Sequence, residues 1–439
     1  MIETHLPQNA MKVEQKKIER IPKTTPEEAL SQIRSGDKIL MGTMCAEPQT
    51  LVESLVRQAH RLEDVTLYTM FPLGNCDYAK DHMKSHLTIK VFSAGRLRIA
   101  PERGSVEYIP CHFSQVPYLI AEKILPVDVI LLQLSPPDKN GYCSFGISVE
   151  YLKEGVDAAR LVIAEINDQM PRTHGDTLIH ISKLDFVVET SRPLLYYPRE
   201  TIGEVERQIA QRTIELMPDG GVFQYGPGSV QAAILSSLKG KKDLGVHSGL
   251  ITDWVVDLVE AGVITGATKT INPGKIVVTS MIGTQKLYDF VENNPMVELY
   301  PASYTHSIRT LGKIKNFISI NSALEMDLYG QINSETVGYT LVSGVGGQND
   351  FIRGALASEG GRAIIALSST AKGGNVSRIV PYLNRGSVVS IPRSDVHFII
   401  TEYGIADLRG RTLSERARAI ASIAHPKYRE RLLDEAKKI

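Results

Sequence analysis

Hydrophobic and polar positions follow two patterns along this chain: short continuous apolar runs, and segments with apolar residues at helical spacing. The runs 127–134 (VDVILLQL) and 161–167 (LVIAEIN) are almost continuously apolar, which predicts buried strands. Between such runs, segments 48–62 and 114–124 carry apolar residues at the three-to-four-residue spacing of a helix. Further strands are predicted at 38–44, 65–70 and 87–93. This strand–helix alternation predicts an α/β protein with a largely parallel sheet.

The same alternation restarts after a long predicted helix that begins near Thr201 and ends at the turn cluster 218–221 (PDGG). Near the C-terminus, segments 363–369, 387–392 and 397–404 are predicted strands, and 412–439 is a predicted charged helical segment. The simplest architecture is therefore two open α/β domains facing each other across an active-site cleft. Their predicted bounds are 11–217 and 218–439. Ligands in such folds bind at the carboxyl ends of strands.

Composition and charge exclude several functions. Lys and Arg together number 49, as do Asp and Glu, and this balance argues against nucleic-acid binding. The longest apolar run is too short to span a membrane, and the N-terminus is polar throughout, so a cytoplasmic protein is expected. No HExxH motif occurs, and no complete GxGxxG follows the first strand. We therefore expect neither a bound metal nor NAD.

The four cysteines form no CxxC pair, and free thiols in a reducing compartment are the favoured interpretation. A catalytic thiolate is the alternative, for which Cys45 and Cys143 are the candidates because both lie in glycine-bearing segments.

Three glycine-bearing loops are candidates for ligand contact. Segment 224–228 (QYGPG) joins a predicted strand to a helix, where glycine admits a close backbone approach and a helix N-terminus favours an anion. Segment 343–355 (SGVGGQNDFIRGA) has the amide-rich loop that cradles a phosphate or an oxyanion. Lys372, in the small-residue loop 369–374, is available to a phosphate or a thioester carbonyl. A ligand-free turn and a surface lysine are the alternatives.

Motifs from about residue 15 to the end of the chain resemble those of the acetyl-CoA hydrolase/transferase family. They lie at 41–48, 106–110, 140–148, 167–173, 224–228, 321–327, 344–353, 369–374 and 401–410. The nearest branch resembles the 4-hydroxybutyrate CoA-transferases, and the chain is also similar to bacterial itaconate CoA-transferases. The resemblance implies two CoA-transferase-type domains, usually a homodimer. It also implies an acyl-CoA such as acetyl- or succinyl-CoA and a small carboxylic acid as substrates.

The resemblance also implies site residues and a mechanism. A family glutamate attacks the thioester, passes through an anhydride and becomes a glutamyl-CoA thioester, which stores the thioester energy between half-reactions. Gly347 would help to form the oxyanion hole, and Lys372 would contact CoA. The implied CoA-binding residues are Gln224, Tyr225, Gly226, Pro227, Gly228, Gly344 and Gly346.

The chain departs from this pattern at one position, because Gly249 in segment 244–253 (LGVHSGLITD) stands where the family has its nucleophilic glutamate. Three explanations are open. Another carboxylate acts, with Glu47, Glu325 and Glu402 as candidates, although structural hydrogen bonding is the favoured role of the last two. Alternatively, a water fills the space and the protein is an acyl-CoA hydrolase. The third possibility is a catalytically silent acyl-CoA-binding protein.

Overall fold

The computed structural model describes residues 23–99 and 105–439. The predicted start of the first domain at residue 11 lies outside these residues. In the first half, the elements in chain order are the strands β1 (Lys38–Met41), β2 (Val65–Thr69), β3 (Leu87–Val91), β4 (Val106–Tyr108), β5 (Val129–Leu134), β6 (Tyr142–Ser144), β7 (Leu161–Asn167), β8 (His174–Gly175), β9 (Leu178–His180) and β10 (Phe186–Thr190), and the helices α1 (Pro26–Leu30), α2 (Gln49–Gln58), α3 (Val116–Ala121), α4 (Leu152–Ala158) and α5 (Glu204–Glu215).

The second half repeats the alternation with shorter elements. Its strands are β11 (Val222–Tyr225), β12 (Gly245–Val246), β13 (Leu250–Ile251), β14 (Ile276–Val278), β15 (Ser280–Met281), β16 (Val297–Leu299), β17 (Phe317–Asn321), β18 (Glu325–Asp327), β19 (Ile332–Asn333), β20 (Thr336–Val337), β21 (Thr340–Leu341), β22 (Arg362–Ala366), β23 (Thr370–Ala371), β24 (Val376–Ser377), β25 (Ile379–Val380), β26 (Phe398–Thr401) and β27 (Gly404–Asp407). Its helices are α6 (Ser229–Ser236), α7 (Asp253–Glu260), α8 (Gln285–Val291), α9 (Ala302–Thr305), α10 (Ile308–Leu311), α11 (Gln348–Ala357), α12 (Leu413–Ser422) and α13 (Pro426–Ala436).

Two sheets organise the chain, which confirms the predicted α/β class. The first has seven parallel strands in the order β10-β7-β5-β1-β2-β3-β4. The second has six strands in the order β12-β11-β17-β22-β26-β27, all parallel except the last pair. Every residue of β5 and β7 is buried, as expected for central strands covered on both faces.

One cluster of buried hydrophobic side chains joins the two sheets, while a second cluster lies within the second half and a third within the first half. A single cluster of buried side chains runs from Leu40 and Leu132 in the first sheet to Ile318 and Ile400 in the second. A small three-stranded sheet also joins the halves, because β8 pairs with β16 and β16 with β14. Helix α5 precedes the predicted boundary at 217/218 but packs on α6 and β26 of the second half. That boundary stays a prediction.

The structure corrects two details near the C-terminus. The predicted strand at 387–392 does not form: the Val388 and Val389 side chains are largely exposed, and Ile391 makes only an isolated bridge to Ile332. The predicted helical segment at 412–439 is two helices, because Pro426 starts a new helix that the His425 side chain caps.

Candidate active site

A cavity of about 430 Å³ opens between the two halves of the chain. The first half contributes mainly apolar side chains, Met44, Met70, Phe71 and Phe113, together with Ser93. The second half contributes the ends of its strands and the loops that follow them. The predicted ligand-binding edge of the second sheet therefore faces the apolar loops of the first domain.

Gly249 lies in the wall of this cavity, in the link between β12 and β13. Its carbonyl oxygen accepts hydrogen bonds from the backbone amide and the hydroxyl of Ser280, each at 3.1 Å, so its position is fixed by β15. A Cβ at position 249 would lie 3.0 Å from Nε2 of His306 and 3.3 Å from the Phe351 ring. The space of the absent side chain is thus bounded by a histidine.

His306 was not among the residues singled out in the sequence, and it directly follows helix α9. The Phe113 and Phe351 rings contact its ring, with centroids at 4.9 and 4.4 Å. Burial lowers its pKa to about 3, so the imidazole is neutral at physiological pH. Gly347 lies against the same ring and leaves no room for a Cβ there.

The loop at 344–347 is held between the two halves. The amide of Val345 donates to the Tyr108 hydroxyl at 3.1 Å, and Gly346 accepts from the Phe113 amide at 3.0 Å. Gly346 has φ +49°, a conformation that favours glycine. Gly347 is the N-cap of α11, and Gly344, Gly346, Gly347 and Gln348 all line the cavity. The positive end of a ten-residue helix therefore faces the cavity.

The strand–helix turn at 224–228 forms another wall, with all of its residues except Gly228 in the lining. The Gln224 amide group is tied to Asn321 and Ser319 by hydrogen bonds of 3.0–3.3 Å. Gly228 has φ +131°, and its amide donates to the Glu200 carboxylate at 3.0 Å. The anion position at the start of α6 is thus filled by the chain's own glutamate.

Lys372 and Arg378 lie on the hairpin β23–β24 and just beyond it. Lys372 is exposed at the hairpin turn with φ +50° and is not part of the cavity wall. Arg378 does line the cavity and is the only lysine or arginine to do so within the described part of the chain. Arg378 was not predicted from the sequence, in which only its nearness to the loop 369–374 distinguishes it.

The three glutamates proposed as substitutes for a residue at 249 lie elsewhere. Glu47 is buried under Gly74, and burial raises the pKa of its carboxyl to about 7. Glu402 accepts from the amide and hydroxyl of Ser369 at 2.8 and 2.6 Å. Glu325 accepts from Asn384 and Ser387. Among residues 23–99 and 105–439, no Asp or Glu lines the cavity.

One further carboxyl group lies just behind the wall. Glu150 is completely buried, has φ +41°, and neither carboxyl oxygen makes a hydrogen bond to a described residue. Burial raises its pKa to about 8, although the hydroxyls of Ser148 and Ser280 beside it act in the opposite direction. Since Ser280 separates it from the cavity and it is protonated at neutral pH, Glu150 is a poor nucleophile as it stands.

The cysteine candidates are contradicted by their environment. Cys45 and Cys143 are fully buried, and desolvation raises their pKa to about 11 and about 12. Neither lines the cavity, and a thiol that stays protonated does not act as a nucleophile. In the described residues there is no group of three or more His, Cys, Asp or Glu side chains arranged to hold a metal ion. Nor does any described helix combine the length and apolar character needed to cross a membrane.

Comparison with known proteins gives consistent matches over both halves. The acetyl-CoA hydrolase/transferase N-terminal domain model matches residues 9–195, and the C-terminal domain model matches residues 283–436. The 4-hydroxybutyrate coenzyme A transferase of Clostridium kluyveri is 48% identical over 415 residues, which cover 94% of this chain and 97% of that protein.

Two solved structures are also similar. The crystal structure of 4-hydroxybutyrate CoA-transferase from Porphyromonas gingivalis has a TM-score of 0.84 at 38% identity, covering 96% of this chain and 99% of that one. RipA from Yersinia pestis has a TM-score of 0.88 at 35% identity, covering 94% of this chain and 97% of that one.

Proposed function

This chain belongs to the acetyl-CoA hydrolase/transferase family and to its acyl-CoA:carboxylate CoA-transferases, and we propose that the acceptor acid itself performs the attack that a family glutamate would perform. The observation that carries this proposal is the composition of the cavity wall. Gly249 lies in it, and no Asp or Glu of the described residues does. The attacking carboxylate would therefore come from a substrate bound in the cavity rather than from a side chain of its wall.

In this mechanism the acceptor carboxylate attacks the thioester carbonyl carbon, and the carbon–sulfur bond breaks to release CoA as a thiolate. The product is a mixed anhydride of the two acids. The thiolate then attacks the acceptor's carbonyl carbon and displaces the donor acid as a carboxylate. No proton is gained or lost, and the energy of the thioester is held in the anhydride rather than in a glutamyl thioester.

The walls of the cavity suit these steps. The turn at 224–228 and the loop residues Gly344, Gly346 and Gly347 would hold the thioester end of CoA. The N-terminus of α11 would stabilise the developing oxyanion near Gly347. Arg378 supplies the positive charge that a carboxylate or a phosphate needs. Lys372 on the outer hairpin would contact the nucleotide end of CoA.

The acceptor we propose is a small acid such as 4-hydroxybutyrate or itaconate, with acetyl- or succinyl-CoA as donor. The relatives from C. kluyveri and P. gingivalis are named for 4-hydroxybutyrate. A cavity of about 430 Å³ is of the size that holds a small ligand. We also propose a cytoplasmic homodimer, because the family resemblance implies a dimer and the four free cysteines suit a reducing compartment.

Initial-rate kinetics test this proposal directly. Rates measured with varied acetyl-CoA and varied 4-hydroxybutyrate should give intersecting double-reciprocal lines, because both substrates must be bound before CoA leaves. Parallel lines, together with a CoA adduct on the intact protein by mass spectrometry, would mean that another side chain is the nucleophile. Binding of acetyl-CoA with no new acyl-CoA for any acid would favour the silent acyl-CoA-binding protein.

A further inference from the structure

A second pocket lies between one face of helix α2 and the loop 74–77, and we call it the α2 pocket. Its volume is about 240 Å³. Helix α2 contributes residues that recur every three or four positions and so share one face, and the loop contributes four consecutive residues. Among the described residues, the walls of this pocket and of the cavity beside Gly249 have no member in common. The α2 pocket is therefore a separate place at which a ligand could bind.

The wall of the α2 pocket is acidic. It contains three carboxylates, Glu47, Glu53 and Asp77, and a single guanidinium, that of Arg57. The charge of Arg57 is already matched by Glu27, which lies outside the wall at 2.6 Å. The pocket thus offers more negative than positive charge to a ligand.

Two of these carboxylates are at the exposed rim and have partners of their own. Glu53 pairs with Arg192 at 3.0 Å and Asp77 with Lys80 at 2.8 Å, and neither cation is part of the pocket wall. A carboxylate can accept about four hydrogen bonds, so both keep acceptor capacity for a ligand.

The third carboxylate, that of Glu47, forms the buried floor of the pocket. Glu47 is 2% exposed, and its carboxyl group lies against Gly74, where an added Cβ would collide with it. Its Oε2 atom has no hydrogen-bond partner among the described residues. Burial raises its pKa to about 7, although a hydrogen bond from the Gly74 backbone and the charge of Arg96 act in the opposite direction. A buried carboxylate oxygen without a partner is expected to bind a group from outside the chain.

The remaining lining narrows the class of that group. Val52 and Val56, one helical turn apart on α2, form an apolar strip in the wall. No set of three or more His, Cys, Asp or Glu side chains in the described part of the chain is arranged to hold a metal ion, so the three carboxylates do not converge on one ion. Separated carboxylates with an apolar strip beside them suit a molecule that carries ammonium groups on a short chain of methylenes.

We propose that the α2 pocket binds a short aliphatic diamine, with one ammonium group on the buried Glu47 and the other at Glu53 and Asp77 on the rim. The first ammonium group donates to Oε2 of Glu47, the atom that has no partner in the chain. The methylenes cover Val52 and Val56. The inference goes beyond the proposed function and does not rest on it, because it uses no residue of the cavity wall.

Calorimetric titration at pH 8 tests the proposal. The pKa of Glu47 is about 7, so at pH 8 its carboxyl group is largely ionised, while an aliphatic ammonium group keeps its proton. The probes are 1,4-diaminobutane, n-butylamine and the neutral n-butanol. We expect the diamine to bind with a dissociation constant of about 1 mM or lower, n-butylamine to bind more weakly, and n-butanol not to bind.

Two variants locate the binding in the α2 pocket. Glu47→Gln keeps the shape of the side chain but removes its charge, so it should lower the affinity for both amines by about 10-fold or more. Glu53→Gln, at the exposed rim, should weaken binding of the diamine by about threefold and leave n-butylamine unaffected. The matched control is Glu122→Gln, because Glu122 is an exposed glutamate that directly follows α3 and is not in the pocket wall. Its affinities should equal those of the wild type.

Three outcomes would overturn the inference. The first is no heat of binding with the diamine at about 10 mM, and the second is equal binding of n-butylamine and n-butanol, which would mean that charge is not recognised. The third is the same diamine affinity in Glu47→Gln as in the wild type, since the amine would then bind elsewhere. Urea unfolding shows whether Glu47→Gln is folded. If it is not, Glu53→Gln decides, and an unchanged diamine affinity in that variant overturns the inference.

Discussion

The Nε2 atom of His306 lies 3.0 Å from the point that a Cβ on Gly249 would occupy. Few protein Cβ atoms approach a neighbour so closely, so the histidine and a side chain at 249 compete for one space. A glutamate at 249, which the family resemblance implies, would have to share this space with the His306 ring. A substitution that introduces it has to take both positions into account.

The first prediction concerns that attempt. Gly249→Glu alone should fail to give a covalent glutamyl-CoA intermediate, because the new side chain meets the His306 and Phe351 rings. Overpacking of this kind costs about 1–3 kcal/mol of stability. Gly249→Glu combined with His306→Asn removes part of the ring and should give parallel double-reciprocal lines and a CoA adduct on the protein.

The matched control for the double variant is Gly249→Gln with His306→Asn, which has the same shape without a nucleophilic carboxylate. It should form no CoA adduct. If Gly249→Glu alone produced the adduct at the rate of the double variant, the competition between the two side chains would be refuted. If neither glutamate variant produced it, the site would have diverged further than these two positions.

A second prediction separates the two basic residues near the site. Lys372→Ala should weaken binding of acetyl-CoA but leave acetyl-pantetheine unaffected, because Lys372 lies outside the cavity on an exposed hairpin. Arg378→Ala should weaken binding of both acetyl-CoA and acetyl-pantetheine, since Arg378 is in the wall. Charge-assisted contacts of this kind contribute about 1.5–3 kcal/mol, which corresponds to roughly 10- to 100-fold in affinity.

Calorimetric titration of both thioesters against both variants checks this prediction, with Arg378→Lys as a charge-preserving control. Arg378→Lys should recover part of the affinity if charge is what matters. Equal affinity of Lys372→Ala and the wild type for acetyl-CoA would remove Lys372 from the CoA site.

The third prediction concerns Glu47, which the sequence analysis kept as a candidate for the nucleophile. Glu47→Gln should change kcat for CoA transfer by less than about threefold, because the carboxyl group is packed under Gly74 and outside the cavity wall. The measurement is the rate of 4-hydroxybutyryl-CoA formation, with unfolding followed in parallel to detect loss of structure. Abolished transfer in a variant that is still folded would make Glu47 the nucleophile and contradict the direct mechanism.

The sequence was sufficient for the fold because its signals are local and repeated. Strands β5 and β7 were readable from continuous apolar runs, and both are fully buried. The same kind of signal gave a wrong prediction at 387–392. Its valines are typical of a strand, but Val388 and Val389 are exposed and their backbone pairs with no other strand. Apolar pattern alone does not reveal whether a pairing partner exists.

The sequence predicted some of the residues in the cavity wall and missed others. The glycine loops could be recognised because glycine marks close backbone approach, and Gly249 was singled out because the family resemblance implies a glutamate there. His306 and Arg378 gave no signal, since a single histidine or arginine carries no periodicity. Their places in the cavity wall arise only when α9 and the hairpin β23–β24 are brought beside residues 224–228 from elsewhere in the chain.

The final prediction is that Glu150→Gln stabilises the protein at pH 8 but not at pH 4.5. Burial raises the folded-state pKa of Glu150 to about 8, whereas an unfolded glutamate has a value of 4.5. Between these values the unfolded state loses the proton while the folded state keeps it, so the wild type loses stability as pH rises through this window. A glutamine does not titrate and escapes this loss.

The stability advantage of Glu150→Gln should therefore grow from near zero at pH 4.5 to about 3–5 kcal/mol at pH 8, at about 1.4 kcal/mol per pH unit. Urea unfolding of both proteins at several pH values measures it. A difference that stays constant across the range would mean that the Glu150 carboxyl is solvated or paired in the folded protein.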